Sequence, residues 1–210
     1  MNPFSHTLLV GTVFLLTLKE LTEACSCMPY HPQDQFCRAS IVIHAKVISK
    51  QFIKPNPPDR DGKVIYGIKL IEAFKGVDKK KKIDSAYTSS QSSMCGVALN
   101  VGSQEEYLLS GYLQENKFSI GLCGLAKPWN DVTAFQKKGL RGFYQMGCNC
   151  KITNCYFEPC GTRAPNECIL NHLSDEPAPN VSESQNLACI QRKDGSCIWY
   201  PTSHSSGNHP

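Results

Sequence analysis

Residues 25 to 37 read Cys25-Ser26-Cys27-Met28-Pro29-Tyr30-His31-Pro32-Gln33-Asp34-Gln35-Phe36-Cys37, and what this stretch can do chemically depends on where the chain is cut. Just upstream, residues 8–18 form an apolar run of 11, which suits the core of a signal peptide and falls short of the roughly 18 needed to span a bilayer. Lys19, Glu20 and Glu23 end that core, and Thr22 and Ala24 are small residues at the positions a signal peptidase reads. Cleavage after Ala24 predicts Cys25 as a new chain end. A neutral α-amine and the carbonyl oxygen of the same residue can together grip one zinc ion, provided that neighbouring cysteines hold the end rigid. The working part of the chain is therefore expected at this terminus.

The elements that position it begin with the cysteines. All twelve, at 25, 27, 37, 95, 123, 148, 150, 155, 160, 168, 189 and 197, lie beyond the expected cut. An even count in an exported chain predicts six disulfides, and the residues alone leave their pairing open. Cys148 and Cys150 with Cys155 and Cys160 would be the obvious thiolate zinc cluster, but no paired C-x-x-C set is present and an oxidising compartment favours bridges. The same bridging argues against a Cys25–His31 nucleophile pair, and no H-E-x-x-H hydrolase motif occurs. His31 reads instead as a packing or hydrogen-bonding group near the chain end. Asn180-Val181-Ser182 is the sole glycosylation sequon, and the neighbouring Pro177, Pro179 and Ser184 predict an exposed loop around it.

Without residues 1–24 the chain carries 21 basic and 16 acidic residues, a net charge of +5. Four consecutive lysines at 79–82 read as a solvated loop between strands, with sulfated matrix glycans or an anionic cell surface as the partners such a run would favour. No stretch interleaves aromatic and basic residues over a useful length, so nucleic acid is not expected as a partner. No later apolar run is long enough to cross a membrane, and a soluble, secreted product of the extracellular space or matrix is expected.

Between the cysteines the pattern is mainly β. Ile41, Ile43, Ala45 and Val47 alternate with Val42, His44, Lys46 and Ile48, and Val64, Tyr66, Ile68 and Leu70 repeat the period of two. The proline-rich residues 55–62 between them predict a hairpin loop. Further strands are expected at 83–87, 106–112 and 117–122, a spacing that suggests a small closed barrel. Two flanking helices are predicted. The first spans 32–39 with Pro32 in its first turn, and the second spans 133–144 behind the cap-type residues Asn130 and Asp131. From Cys148 onward seven cysteines fall within fifty residues with few apolar runs, so this part must be stapled. The expected organisation is a leader at 1–24, a barrel domain at 25–148 and a disulfide-rich C-terminal domain at 149–210.

The segment Cys25-x-Cys27-x-Pro29-x-His31-Pro32-Gln33-x-x-Phe36-Cys37 resembles the signature of the tissue inhibitors of metalloproteinases. Phe74-Lys75-Gly76, Cys95-Gly96-Val97, Gln145-Met146-Gly147-Cys148-Asn149-Cys150, Pro165-Asn166-Glu167-Cys168 and Asp194-Gly195-Ser196-Cys197-x-Trp199-Tyr200 extend the likeness over nearly all of the chain after residue 24. The resemblance implies a five-stranded OB-like barrel, the netrin-type module, with a smaller C-terminal domain. It implies the bridges Cys25–Cys95, Cys27–Cys123, Cys37–Cys148, Cys150–Cys197, Cys155–Cys160 and Cys168–Cys189. It further implies a protein inhibitor, not an enzyme, with no cofactor of its own, whose partners are matrix metalloproteinases and related zinc endopeptidases.

In that reading Cys25, Ser26, Cys27, Met28 and Pro29 lie in the enzyme cleft with Ser92, Ser93, Met94 and Cys95 alongside, and the Cys25 amine and carbonyl chelate the enzyme's catalytic zinc. A signalling ligand that engages a receptor through the C-terminal domain is the alternative. The chain also departs from the family pattern. His44 stands where arginine is usual, residues 169–173 replace a tryptophan-containing stretch, and residues 201–210 lack the acidic side chains that some members use to dock a gelatinase proenzyme.

Overall fold

The computed structural model describes residues 25–55, 61–78, 82–102, 105–162, 164–173 and 180–201. The expected leader, most of the 55–62 loop, three of the four lysines at 79–82 and residues 202–210 lie outside them.

Six strands form one sheet: β1 (Ile41–Ile53), β2 (Lys63–Lys75), β3 (Ser85–Ser89), β4 (Glu106–Gln114), β5 (Lys117–Ile120) and the short β6 (Ala126–Pro128). Their order is β1-β2-β3-β5-β4-β6, and β1 also pairs with β4, which closes the first five into a barrel. All pairings are antiparallel except β3 with β5. Register shifts in β1 at Val42/Ile43, His44/Ala45 and Val47/Ser49 add the twist that lets one long strand serve both neighbours. Glu115 and Asn116 both have positive φ, which suits a two-residue hairpin from β4 to β5.

Ile41, Ile43, Ala45 and Val47 point into the barrel with Tyr66, Ile68, Leu109 and Phe118. The expected alternation holds, but the opposite face of β1 is not solvated at its start. Val42 and His44 are buried as well, His44 beneath Trp129 of the 3-10 turn at Trp129–Asp131 and Val42 beneath helices. These are α1 (Pro32–Arg38), α2 (Ala134–Lys138), a π-helical turn (Gly139–Phe143) and α3 (Tyr144–Met146). Thr133 caps α2 in a reciprocal box with Gln136. The predicted second helix is thus present but changes pitch at Gly139.

After Cys148 the strands are short. β7 (Lys151–Cys155) pairs in parallel with β8 (Glu167–Asn171), and β9 (Ala188–Gln191) pairs antiparallel with β10 (Cys197–Tyr200). A four-residue helix, α4 (Val181–Ser184), precedes β9. Ile152 and Leu170 pack with Cys168, Cys189 and Cys197, so disulfide sulfur makes up much of this small core. A separate apolar cluster joins Phe36, Val42, Leu108, Leu140 and Tyr144 to Ala188 and Ile190, contributed from both sides of residue 148. All twelve cysteines are bridged, in the six pairs that the resemblance implies.

Candidate functional site

The segment from Cys25 to Tyr30 has no regular structure of its own, so its course is set by what it is tied to. Cys25 is bridged to Cys95 and Cys27 to Cys123. The two bridges lie side by side, with the Cys95 and Cys123 sulfurs 4.0 Å apart. Two anchors two residues apart leave the intervening backbone little freedom. Ser26, Cys27, Met28 and Pro29 are exposed along the resulting ridge, and Met28 keeps 59 % of its surface in solvent.

The second strip of the ridge is a turn of 3-10 helix at Ser92–Met94. Its backbone folds back on Gln91, whose carbonyl accepts from the Met94 and Gly96 N–H groups, and Cys95 N–H donates to Ser92 O. Cys95 adopts a left-handed conformation, φ 57°, which turns its side chain toward Cys25. Met94 is 60 % exposed and Ser92 is exposed, while Ser93 and Cys95 are half-buried. A third piece of chain supports both, because Leu122 N–H donates to Cys95 O and the 121–124 turn carries Cys123. The structure therefore brings together all nine residues expected at this edge. The Cys25, Cys27 and Cys123 sulfurs also lie within 4.8 Å of one another, as do those of Cys150, Cys189 and Cys197. Each is spent in a disulfide, so neither group offers the thiolates a metal would need.

Behind the ridge sits a root of buried polar contacts, in which His31 has the hydrogen-bonding role expected of it. His31 is the N-cap of α1, where Nδ1 accepts from Gln33 N–H and Nε2 donates 2.8 Å to Ser184 O. That pattern requires the neutral ring, and burial lowers its pKa to about 4, partly offset by the bond to Ser184. Asp34 is perturbed in the opposite sense, raised to about 6 by burial despite the nearby Arg38. The Arg38 guanidinium lies 4.3 Å from the centre of the Tyr30 ring, which fixes the exit of the ridge.

Gln33, only 1 % exposed, donates to Gly147 O and Cys189 O and accepts from Cys189 N–H. Gly147 must be glycine because a Cβ there would collide with the Cys189 carbonyl and the Gln33 amide. At the other end of α1, Lys75 Nζ donates to Phe36 O and Cys37 O. Gly76 follows at φ +73°, where a Cβ would strike Ser40 O. The Phe74-Lys75-Gly76 motif thus serves the helix that carries the ridge. His44 fills the usual arginine position with a planar ring that stacks on Trp129 at 3.9 Å and bonds Glu106 at 2.7 Å.

Of the other expectations, Lys82 is exposed and 3.6 Å from Asp84, and its three companions lie outside the described residues. Asn180 is exposed and caps α4 through its side-chain oxygen, which leaves the amide nitrogen outside the cap. Among the described residues no helix is long and apolar enough to cross a membrane.

A family model described as "Tissue inhibitor of metalloproteinase" matches residues 23–199. The chain is 42 % identical to "Metalloproteinase inhibitor 2" of Canis lupus familiaris over 203 residues, covering 93 % of this chain and 90 % of the relative. It is 42 % identical to the Homo sapiens protein of the same name, with 92 % and 89 % covered. It is also 38 % identical to "Metalloproteinase inhibitor 3" of Scyliorhinus torazame, with 94 % and 92 % covered.

Proposed function

The chain belongs to the tissue inhibitor of metalloproteinase family, and from that premise we propose that it is a secreted inhibitor that chelates the catalytic zinc of its target through the Cys25 α-amine and carbonyl. As a member of an inhibitor family it acts on metalloproteinases and is not an enzyme. The observation that carries the mechanism is the pair of adjacent disulfides that grip Cys25 and Cys27 beneath an exposed ridge.

A catalytic zinc keeps one position open for the water that it activates as nucleophile. An amine and a carbonyl from one residue close a five-membered chelate at that position and displace the water, so hydrolysis stops. The Cys25 thiol takes no part, since it is bridged. The chelate exists only after residues 1–24 are removed, which ties the mechanism to export through the signal peptide. Ser26 then enters the mouth of the specificity pocket, with its hydroxyl near the enzyme's general base. Met28 and Pro29 run along the cleft, and Ser92, Ser93 and Met94 contact its rim. No side chain among these residues ionises, so a small neutral ridge meets the cleft and broad inhibition of matrix metalloproteinases and related enzymes follows. Because the ridge is already held in place, little conformational entropy is lost on binding.

The remaining assignments complete the reading: a barrel domain at 25–148 that inhibits, a C-terminal domain at 149–210, and a glycan on Asn180. The deciding experiment adds one Ala before Cys25, or acetylates its amine. Inhibition of a catalytic domain should fall by orders of magnitude with circular dichroism and thermal unfolding unchanged. A folded, extended protein that still inhibits at full strength would falsify chelation. The neutral amine also predicts a proton released on binding and weaker inhibition as pH falls below about 8.

A further inference from the structure

Two exposed side chains of the ridge are thioethers. Of the four methionines, Met1 falls in the expected leader, Met28 and Met94 stand on the two strips of the ridge, and Met146 lies on α3, outside it. Met146 is 58 % exposed, so it is as open to solvent as the ridge pair. All twelve cysteines are bridged, and no thiol is left to compete for a mild oxidant. Sulfur oxidation by a peroxide therefore falls on methionine, and two of the three sites beyond the leader are on the inhibitory edge.

Met28 has a hydroxyl beside it. The Tyr30 O–H lies 4.0 Å from Met28 Sδ, a feeble contact because a thioether sulfur is a weak acceptor. Tyr30 is itself positioned, with the Arg38 guanidinium over its ring. A sulfoxide oxygen is a strong acceptor, and one added on the Tyr30 side of the sulfur comes within reach of that hydroxyl. The protein thus holds a donor in place that serves the oxidised side chain far better than the reduced one. The bridged Cys27 on one side and Pro29 on the other restrict the backbone, which confines the change to the side chain.

We propose that Met28 is an oxidation site for peroxide, that its sulfoxide is held by the Tyr30 hydroxyl, and that this modification weakens the inhibitor, with Met94 a second and lesser site. The proposal rests on the inhibitory reading, in which Met28 runs along the enzyme cleft. In the reaction a sulfur lone pair attacks one oxygen of hydrogen peroxide, and the S–O bond forms as the O–O bond breaks. The departing hydroxide takes the proton from the new S–OH group and leaves as water. Sulfur loses two electrons and peroxide gains them. A flexible apolar side chain becomes a polar one. Burying it in the cleft then means desolvating the S–O dipole and breaking its bond to Tyr30. Complex formation acts in the opposite direction, since an enzyme seated on the ridge covers both thioethers. An oxidant would thus remove free inhibitor and spare inhibitor already bound.

The test treats the full secreted chain with hydrogen peroxide, free and in complex with a metalloproteinase catalytic domain, and stops the reaction with catalase. Peptide mass spectrometry reads the added oxygen at each methionine, and the free chain is titrated against fresh enzyme before and after treatment. Sulfoxide is expected at Met28, Met94 and Met146 of the free chain, with Met28 and Met94 protected in the complex. Inhibition should weaken by roughly tenfold or more on oxidation. Each variant is compared with itself before and after peroxide: Met28→Leu should lose most of the sensitivity, Met94→Leu less of it, and Met146→Leu none. Tyr30→Phe keeps the ring and removes the donor, and it should reduce the loss. Unchanged circular dichroism and unfolding midpoint on oxidation separate lost binding from lost fold. An untreated chain that does not inhibit would overturn the inhibitory reading and this proposal with it. Where the untreated chain inhibits, four results overturn the proposal alone: full inhibition by a chain oxidised at Met28, undiminished sensitivity of Met28→Leu, undiminished sensitivity of Tyr30→Phe, or oxidation of Met28 as fast in the complex as in the free chain.

Discussion

Ser26 is the exposed residue next to Cys25, and its side chain is small enough to enter pockets of many shapes. Ser26→Gly should weaken inhibition across a panel of metalloproteinases by roughly tenfold, about 1.4 kcal/mol, the size of one lost net hydrogen bond. Unchanged constants throughout the panel would move Ser26 out of the pocket. The root below it is sensitive to pH. His31 has a folded pKa below its unfolded value, so its contribution to stability is present above about 6.5 and is lost as pH falls toward 4. Complete loss amounts to about 3 kcal/mol. Asp34 works the other way. Its raised pKa favours the folded state below about 3.8, and that advantage disappears as pH rises through 6. Asp34→Asn should therefore stabilise the protein at pH 7.5 but not at pH 4, and His31→Asn should flatten the acid loss. Calorimetric midpoints between pH 4 and 8 check both signs.

At the level of elements, α1 joins the ridge to the rest of the molecule, and only part of that was legible in the sequence. Pro32 and Asp34 announce a helix start, and the alternation from Ile41 to Val47 identifies β1, whereas the second helix is capped by Thr133 in a box with Gln136 and not by the cap-type residues Asn130 and Asp131 ahead of it. Gln33 was not readable as a clamp, because its partner Cys189 is 156 residues away and no local pattern encodes so distant a bond. The continuation of β1 to Ile53, at the hairpin, and of β2 to Lys75, at the opposite end of the pair, was also hidden, since both stretches are largely exposed and lack a buried alternation. The ridge was legible because cysteine spacing and a family likeness do not depend on periodicity. Gln33→Ala would strand two carbonyls and one N–H in a buried site, with an expected loss of roughly 2–4 kcal/mol. Gly147→Ala should cost a comparable amount through collision, and denaturant unfolding of the two variants measures both effects. Losses below about 0.5 kcal/mol would show that this junction is slack.

For the whole molecule, the division between inhibition and other contacts can be tested at the C-terminal segment. Residues 202–210 contain no Asp or Glu, and deleting them should leave inhibition of an isolated catalytic domain unchanged. A large loss on deletion would mean that inhibition is not confined to the ridge. The Cys25–Cys95 bridge, with a sequence separation of 70, contributes on the order of 4 kcal/mol by restricting the unfolded chain. Its partner Cys27–Cys123 spans 96. Such separations mean that the ridge is assembled from residues 25–29, 92–95 and 121–124, pieces that meet only once the barrel has closed. It follows that the inhibitor is not portable as a linear epitope. A synthetic peptide of residues 25–37 would carry the zinc-binding end without its scaffold and bind feebly, whereas an unrelated barrel offering three loops at the same spacing would be a suitable recipient for a graft.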